Sequence, residues 1–401
     1  MLSSITGIVT IARQSRGALL SQTLALHSTI EEITPPMLNF YQPDRRAIQK
    51  AVAALAAYGI EPSRQQRLAN FLQEQDSRWL YHANPRAIAQ RLNLTEAATL
   101  QLLVIALKQG IVTLNWEIQC PKCKGIDLSP KHLSDLRTQH SCPACRHVHF
   151  TDADEQVRVT FSIDERLRKL PKNADDLAFR SQIDASFGVV SGHRLLTTQT
   201  FRDLFPRETI PPNQSLLIRR VVILFTDLAG STALYSRNGD AFAYSLVRQH
   251  FNVLFEIVAR HNGAVVKTIG DAIMAAFTVP ADAFEAAISM QNQMQVLNKK
   301  LQLLEPNQLI LKVGINAGPC ISVTLNERSD YFGMTVNSAA RVQGLSKGND
   351  IVVTDSVLAD LKQQDNSWEQ NEVELKGLEA PIRVHTLRLF GEKFSAEKFI
   401  F

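Results

Sequence analysis

Short apolar runs alternate with longer segments of helical period from Arg219 onward. Val221–Thr226 is a continuous apolar run of strand length, as a buried strand requires. Val247, Phe251, Leu254, Phe255 and Val258 then recur at helical spacing, and His261-Asn262-Gly263 supplies a helix end that tolerates the left-handed conformation. Ala264–Thr268 and Ala272–Phe277 predict two short strands joined through Ile269-Gly270-Asp271, a tight hairpin. A second helix is expected from Ala281 to Leu304, with Ala286, Met290, Met294, Leu297 and Leu301 on one stripe. Ile310–Ala317, ending at Gly318-Pro319, and Cys320–Thr324 read as two strands. Thr335–Leu345 reads as a short helix, Ile351–Thr354 as a strand, and Val373–Leu375 with Ile382–Leu387 as a final pair. Strand–helix–strand–strand–helix–strand is the ferredoxin-like plan, so residues 219–390 are expected to form an α+β domain.

Upstream the pattern is mainly helical. Residues 45–115 are rich in Ala, Leu and Gln, and residues 1–115 are expected as one helical domain. Pro85–Leu92 predicts a helix, Thr95 caps a second running to Lys108, and Gly110 leads into a strand at Ile111–Ile118. Residues 84–118 thereby resemble a helix-turn-helix or winged-helix piece. The would-be reading helix, Thr95–Lys108, carries one Lys and one Glu among many Leu and Ala. A DNA-reading helix presents several basic and amide side chains, so burial is expected here and nucleic acid is argued against. Residues 165–218 contain Pro171, Pro206, Pro211 and Pro212 and predict a linker with a short amphipathic element at Phe201–Phe205. Residues 391–401 are expected as a C-terminal tail.

Composition narrows the class. The 401 residues suffice for two or three domains, and 45% hydrophobic with 20% charged residues excludes wholesale disorder. A net charge of +4 is too small to argue for nucleic acid or membrane. No apolar run reaches the length of about 18 residues that a membrane helix needs. Met1–Arg16 lacks the basic and apolar regions of a secretory signal. Five cysteines are too few for a disulfide scaffold, so a cytoplasmic protein with reduced thiols is expected.

Four of those cysteines form two C-x-x-C pairs, Cys120/Cys123 and Cys142/Cys145, separated by 18 residues. Four thiolates make a closed tetrahedral structural zinc site, and residues 116–164 are expected as a zinc-ribbon-like module. His147 and His149 lie nearby, but four sulfurs already fill the shell. Cys320 reads as a small core residue.

The second candidate site lies in the α+β half. Asp227 stands at the end of a predicted buried strand, followed by a small-residue turn containing Gly230, Ser231 and Thr232 at a helix start. Free backbone N–H groups and a positive dipole end there suit phosphate, and the Asp suits a hard cation bridging phosphates. Asp271 stands at the hairpin tip. If the hairpin pairs beside the first strand, the two carboxylates converge and suit two Mg²⁺ or Mn²⁺ ions and an in-line displacement at phosphorus.

FTDLAGST, VKTIGDAIMAAF and SDYFGMTVNSAAR, in that order and spacing, resemble the signature blocks of the class III nucleotidyl cyclase catalytic domain. The resemblance implies that Asp227 and Asp271 hold the metals with the Leu228 carbonyl assisting. It implies that Lys267 and Asp330 select the purine, with Lys meeting adenine N1 and Asp the exocyclic amine. Guanylyl cyclases generally have a Glu and a small or Cys residue there, so ATP is favoured over GTP. Asn337 and Arg341 match the transition-state residues, and Lys376 the terminal-phosphate lysine. Arg328 matches more loosely as a further phosphate contact. The family's active site forms between two catalytic domains, and this chain carries both sets of residues. The resemblance therefore implies a head-to-tail homodimer making 3′,5′-cyclic AMP and pyrophosphate. From its position alone, the N-terminal half is expected to regulate the cyclase domain through the linker 165–218. The alternatives are a cyclase using GTP or a pyrimidine triphosphate, and a non-catalytic signalling protein that binds nucleotide or DNA.

Overall fold

The computed structural model describes residues 43–127, 130–361, 368–377 and 380–389. The start of the expected helical domain (1–42, including the Met1–Arg16 segment) and the expected tail (391–401) lie outside the described residues.

The first described elements are helices: α1 (Arg45–Ala53), α2 (Pro62–Glu74), α3 (Pro85–Leu92) and α4 (Glu96–Lys108). Asn84 caps α3, accepting from the Arg86 N–H at 2.8 Å, and Thr95 Oγ1 caps α4, accepting from the Ala98 N–H at 3.2 Å. α4 is a core helix, with Thr99, Leu100 and all of Leu102–Ala106 buried. β1 (Val112–Gln119) pairs antiparallel with β2 (Ile126–Asp127) and with β5 (Val157–Ile163), while β3 (Gln139–Ser141) and β4 (Val148–Phe150) form a hairpin.

The segment 165–218, expected as a linker, is instead folded. It forms α5 (Leu177–Phe187), α6 (Gly192–Leu196) and α7 (Gln199–Leu204). Ile183, Leu195, Leu196, Phe201 and Ile210 are buried in the same core as Trp116, Val159 and Phe161. Phe201 meets Trp116 edge-on at 6.2 Å and stacks on Phe205 at 5.5 Å. Helices this short bury one to three apolar residues each, too few to display a period, and the prolines flank the group, Pro171 before it and Pro206, Pro211 and Pro212 after it.

The second half forms β6 (Leu216–Leu228), α8 (Ser231–Asn238), α9 (Asp240–Arg260), β7 (Ala264–Ile269), β8 (Ala272–Phe277), α10 (Pro280–Lys300), β9 (Leu311–Leu325), β10 (Arg328–Phe332), α11 (Met334–Leu345), β11 (Asp350–Thr354), α12 (Asp355–Leu358), β12 (Trp368–Val373) and β13 (Ile382–Arg388). The sheet runs β12-β13-β11-β9-β6-β8-β7, with β10 paired to β9. Its part β9-β6-β8-β7 has the ferredoxin-like order. Two expected strands prove to be the single β9, unbroken at Gly318-Pro319. The register slips between Ile218 and Val221, so Pro319 stands opposite a bulge, where its missing N–H removes no ladder bond. The last pair is also shifted, since β12 ends at Val373 where the second-to-last strand was expected to begin.

β6 is buried on both faces, which is why it is a continuous apolar run. Val221, Ile223 and Phe225 belong to the core shared with the N-terminal half. Val222 and Leu224 belong to a second core with Leu254 and Ile257 of α9 and Met290 and Met294 of α10. The N-terminal half thus covers one face of the sheet at β6 and the α9–α10 layer covers the other. On β9, a Cβ at Gly314 would overlap the backbone N and Cα of Gln343, so α11 lies directly on the strand there. Gly314→Ala should therefore destabilise the fold by about 1–3 kcal/mol in urea unfolding, as overpacking does. Gly344→Ala, where an added Cβ meets nothing within 4 Å, should be neutral or stabilise by up to about 1 kcal/mol.

Candidate active site

β6 ends at Thr226-Asp227-Leu228 beside the β7–β8 hairpin, which turns at Gly270 with a left-handed φ of 63°. Phe225 pairs with Met274, and the Ile273 N–H donates to Thr226 Oγ1 at 3.2 Å. The next residues along these antiparallel strands bring Asp227 and Asp271 to the same end of the sheet. Burial, and then the charge of Asp271, push the Asp227 carboxyl above its ordinary value. Lys312, with Nζ 3.8 Å from Asp227 Oδ2, pulls it back. Asp271 Oδ2 is buried without a hydrogen-bond partner. A buried acceptor lacking a donor, next to a second carboxylate, is a donor set that fits a hard divalent cation. Gly230, at φ 72°, leads into α8, whose first turn holds Ser231 and the exposed Thr232.

Lys267 on β7 and Asp330 on β10 form an ion pair of 2.6 Å. Asp330 is only 7% exposed, and its Oδ1 also accepts the Tyr331 N–H at 2.8 Å. Asn326-Glu327, with φ of 50° and 60°, turns β9 into β10, and Asp330 is a strand residue opposite Val323. A two-residue turn frees the following residues to continue the ladder.

Asn337 is exposed and Arg341 half-buried on α11. Arg341 Nη1 is buried without a partner, and its two terminal nitrogens lie 3.5 and 3.6 Å from the position a Cβ on Gly377 would take. The Lys376-Gly377 turn therefore lies against the guanidinium, with Lys376 exposed. The structure thus groups Asp227 with Asp271, Lys267 with Asp330, and Arg341 with the Lys376 turn. Arg328, exposed on β10, shares a cavity of about 520 Å³ with Arg202, Phe205, Phe255, Lys267 and Thr268, and neither Asp227 nor Asp271 lines it. Lys312, Gln343 and Arg202 were not foreseen. A lysine inside the apolar run Leu311–Ile315 was a usable signal for the first, while α7 gave none for Arg202.

In the N-terminal half the four cysteine sulfurs lie within 4.8 Å of one another. Cys120 and Cys145 are 3.7 Å apart, and Cys123 and Cys142 3.6 Å. A zinc–sulfur bond of ~2.3 Å gives tetrahedral edges of ~3.8 Å, so the set fits Zn²⁺. The two turns close alike: the Lys124 N–H donates to the Cys120 carbonyl at 3.0 Å and the Arg146 N–H to the Cys142 carbonyl at 2.8 Å. His147 and His149 stack at 5.7 Å beside this set and are not in it. Cys320 is a buried core residue, its thiol pushed up to about 12 by burial.

Residues 214–389 match the adenylate and guanylate cyclase catalytic domain, and residues 47–187 match a family of unknown function, DUF5939. The C-terminal region is a class III adenylyl/guanylyl cyclase catalytic domain. Among relatives, putative adenylate cyclase 3 of Rhizobium meliloti is 28% identical over 179 residues, covering 43% of this chain and 29% of that protein. The adenylate cyclase of Schizosaccharomyces pombe is 30% identical over 184 residues, covering 41% of this chain and 10% of that protein. The shared part thus spans under a third of the length of either relative. The crystal structure of an adenylate/guanylate cyclase/hydrolase from Silicibacter pomeroyi is 26% identical, covers 43% of this chain and 98% of that one, and has a TM-score of 0.38.

Because the folded state raises the Asp227 carboxyl above its ordinary value, the native protein binds more protons than the unfolded chain in the window just above that value. Stability is therefore lost as pH rises through that window and stays reduced at neutral pH. Without divalent ions, Asp227→Asn should raise the urea midpoint at pH 7 and leave it unchanged below pH ~3, where the Asp227 carboxyl is protonated in the folded and the unfolded chain alike.

Proposed function

We propose that this protein is an adenylate cyclase that converts ATP to 3′,5′-cyclic AMP and pyrophosphate at a site completed by a second copy of the chain. One observation carries the proposal: the buried, unpartnered Asp271 oxygen beside Asp227, whose carboxyl feels its charge. These carboxylates, with the Leu228 carbonyl, would hold two Mg²⁺ or Mn²⁺ ions. Bound there, the ions would lower the pKa of the ribose 3′-hydroxyl and offset charge on the phosphates.

The remaining work falls to the chain. The Lys267 ammonium donates to adenine N1 and the Asp330 carboxylate accepts from the exocyclic amine. Guanine presents an N–H to the lysine and an oxygen to the aspartate, so both contacts become repulsive and ATP is selected. Asn337 orients the ribose. Arg341, with a nitrogen free of partners, stabilises charge growing on the α-phosphate and leaving pyrophosphate. Gly230, Ser231 and Thr232 receive phosphate at the start of α8, and Lys376 and Arg328 contact the outer phosphates. The exposed apolar side chains of Ile269, Phe332 and Met334 adjoin these residues and suit a head-to-tail contact between two copies. Five free cysteines and an ATP-consuming activity fit a cytoplasmic setting. Among the described residues no helix is long and apolar enough to cross a membrane. The four cysteines hold a structural zinc ion, and the N-terminal half regulates the cyclase domain.

Purified protein incubated with Mn²⁺ and each of the four triphosphates should release cyclic AMP as the dominant product; no cyclic nucleotide from any of them would refute the proposal. Asp227→Ala and Arg341→Ala should each lower the rate by about 100-fold or more. An equimolar mixture of the two should recover roughly a quarter of wild-type activity, because half the dimers are mixed and each holds one intact site of its two. No recovery would contradict the shared site. For the cysteine cluster, elemental analysis should find about one zinc per chain, and Cys142→Ser should abolish it and lower the thermal midpoint. Full stability without zinc would contradict the structural role.

A further inference from the structure

The strand that carries Lys267 is an edge strand, and α7 covers its edge. Gln199 Oε1 accepts the Val265 N–H at 2.7 Å, and Arg202 Nη2 donates to the Val266 carbonyl at 3.4 Å. The same Arg202 nitrogen donates to the Ser329 carbonyl at 2.6 Å. Val266 precedes Lys267 and Ser329 precedes Asp330. One guanidinium therefore spans the two main chains that present the ion pair, on β7 and β10, which are not neighbours in the sheet. Its Nη1 points back to the Leu196 carbonyl at 3.5 Å, and all three acceptors are main-chain oxygens. Burial lowers the guanidinium's pKa, as it does for a cation withdrawn from water.

Arg202 lies outside residues 214–389, in the segment that joins the two halves. Its helix is anchored by Phe201, which is 2% exposed and packs on Trp116 of β1, the strand that leads directly to Cys120. Arg202 thus sits between the N-terminal half and the main chains that carry Lys267 and Asp330.

We propose that Arg202 is a positioning residue for base recognition: it holds the Val266 and Ser329 carbonyls together, and so fixes the distance at which Lys267 and Asp330 present a donor and an acceptor to the purine. Arg202 does not touch the nucleotide. The inference rests on the proposed roles of Lys267 and Asp330 in an adenylate cyclase. A buried charged donor bridging two strands is hard to replace, because lysine reaches one carbonyl at a time and alanine reaches neither.

The test compares the wild-type full chain with Arg202→Ala, Arg202→Lys and Gln199→Ala, using ATP and GTP with Mn²⁺. The KM for ATP should rise and the ATP-over-GTP preference in kcat/KM should fall by about tenfold in Arg202→Ala, with an intermediate loss in Arg202→Lys. kcat at saturating ATP should change much less, since the metal and phosphate groups are untouched. General destabilisation would lower the active fraction for both nucleotides equally and leave the preference intact. Should Arg202→Ala fail to fold by circular dichroism, Arg202→Lys and Gln199→Ala carry the test, and each is expected to lower the preference. Folded variants with wild-type KM and preference would overturn the inference while leaving the cyclase proposal standing. A wild-type protein that makes no cyclic nucleotide would remove the cyclase proposal and this inference together.

Discussion

Two carboxylates that repel one another are brought together where a strand buried on both faces ends beside a hairpin tip. β6 is buried on both faces, so its last residues are fixed by packing rather than by any preference of Asp227. β8 pairs with β6 up to Phe225, so the hairpin tip with Asp271 arrives beside it. The cost is visible in the raised Asp227 pKa and in the buried Asp271 oxygen without a partner. Uncompensated, such a pair is a liability; a divalent cation held there would offset the repulsion.

The same strand explains how the halves of the chain relate. Side chains alternate along β6 between a core built with α9 and α10 and a core built with the N-terminal half. One residue's change of register would exchange the two sets. The start of β6 is also tied to the first half by backbone: the Leu217 N–H donates to the Thr151 carbonyl at 2.9 Å, and the Ala153 N–H to the Leu217 carbonyl at 2.8 Å. Asp154 accepts the Arg219 N–H at 2.7 Å and pairs with buried His193 at the same distance. The N-terminal half is therefore packed into the sheet that carries the site, not tethered by a flexible arm. That packing continues through Trp116 and Phe201 to Arg202, which bonds the main chains of β7 and β10.

Much of this was legible in the residues. Strand and helix order in the second half, the hairpin at Gly270-Asp271 and the four-cysteine cluster followed from period, turn chemistry and spacing. The misreadings have physical causes. Gly318-Pro319 looked like a break because a proline usually interrupts a ladder, and the bulge at Arg219–Arg220 that accommodates it lies about a hundred residues earlier in sequence. Residues 165–218 looked like a linker because their prolines are conspicuous and each helix is too short to show a stripe. Arg202 could not be found at all, since a cation bonded to carbonyls remote in sequence leaves no local pattern.

The central claim is that Asp227 and Asp271 together form a divalent-cation site, and Mn²⁺ binding followed by electron paramagnetic resonance tests it without requiring turnover. With a non-reactive ATP analogue present, the wild-type protein should bind Mn²⁺, and Asp227→Asn or Asp271→Asn should each weaken binding by about tenfold or more. Variants of both residues that remain folded and bind Mn²⁺ as tightly as the wild type would contradict it.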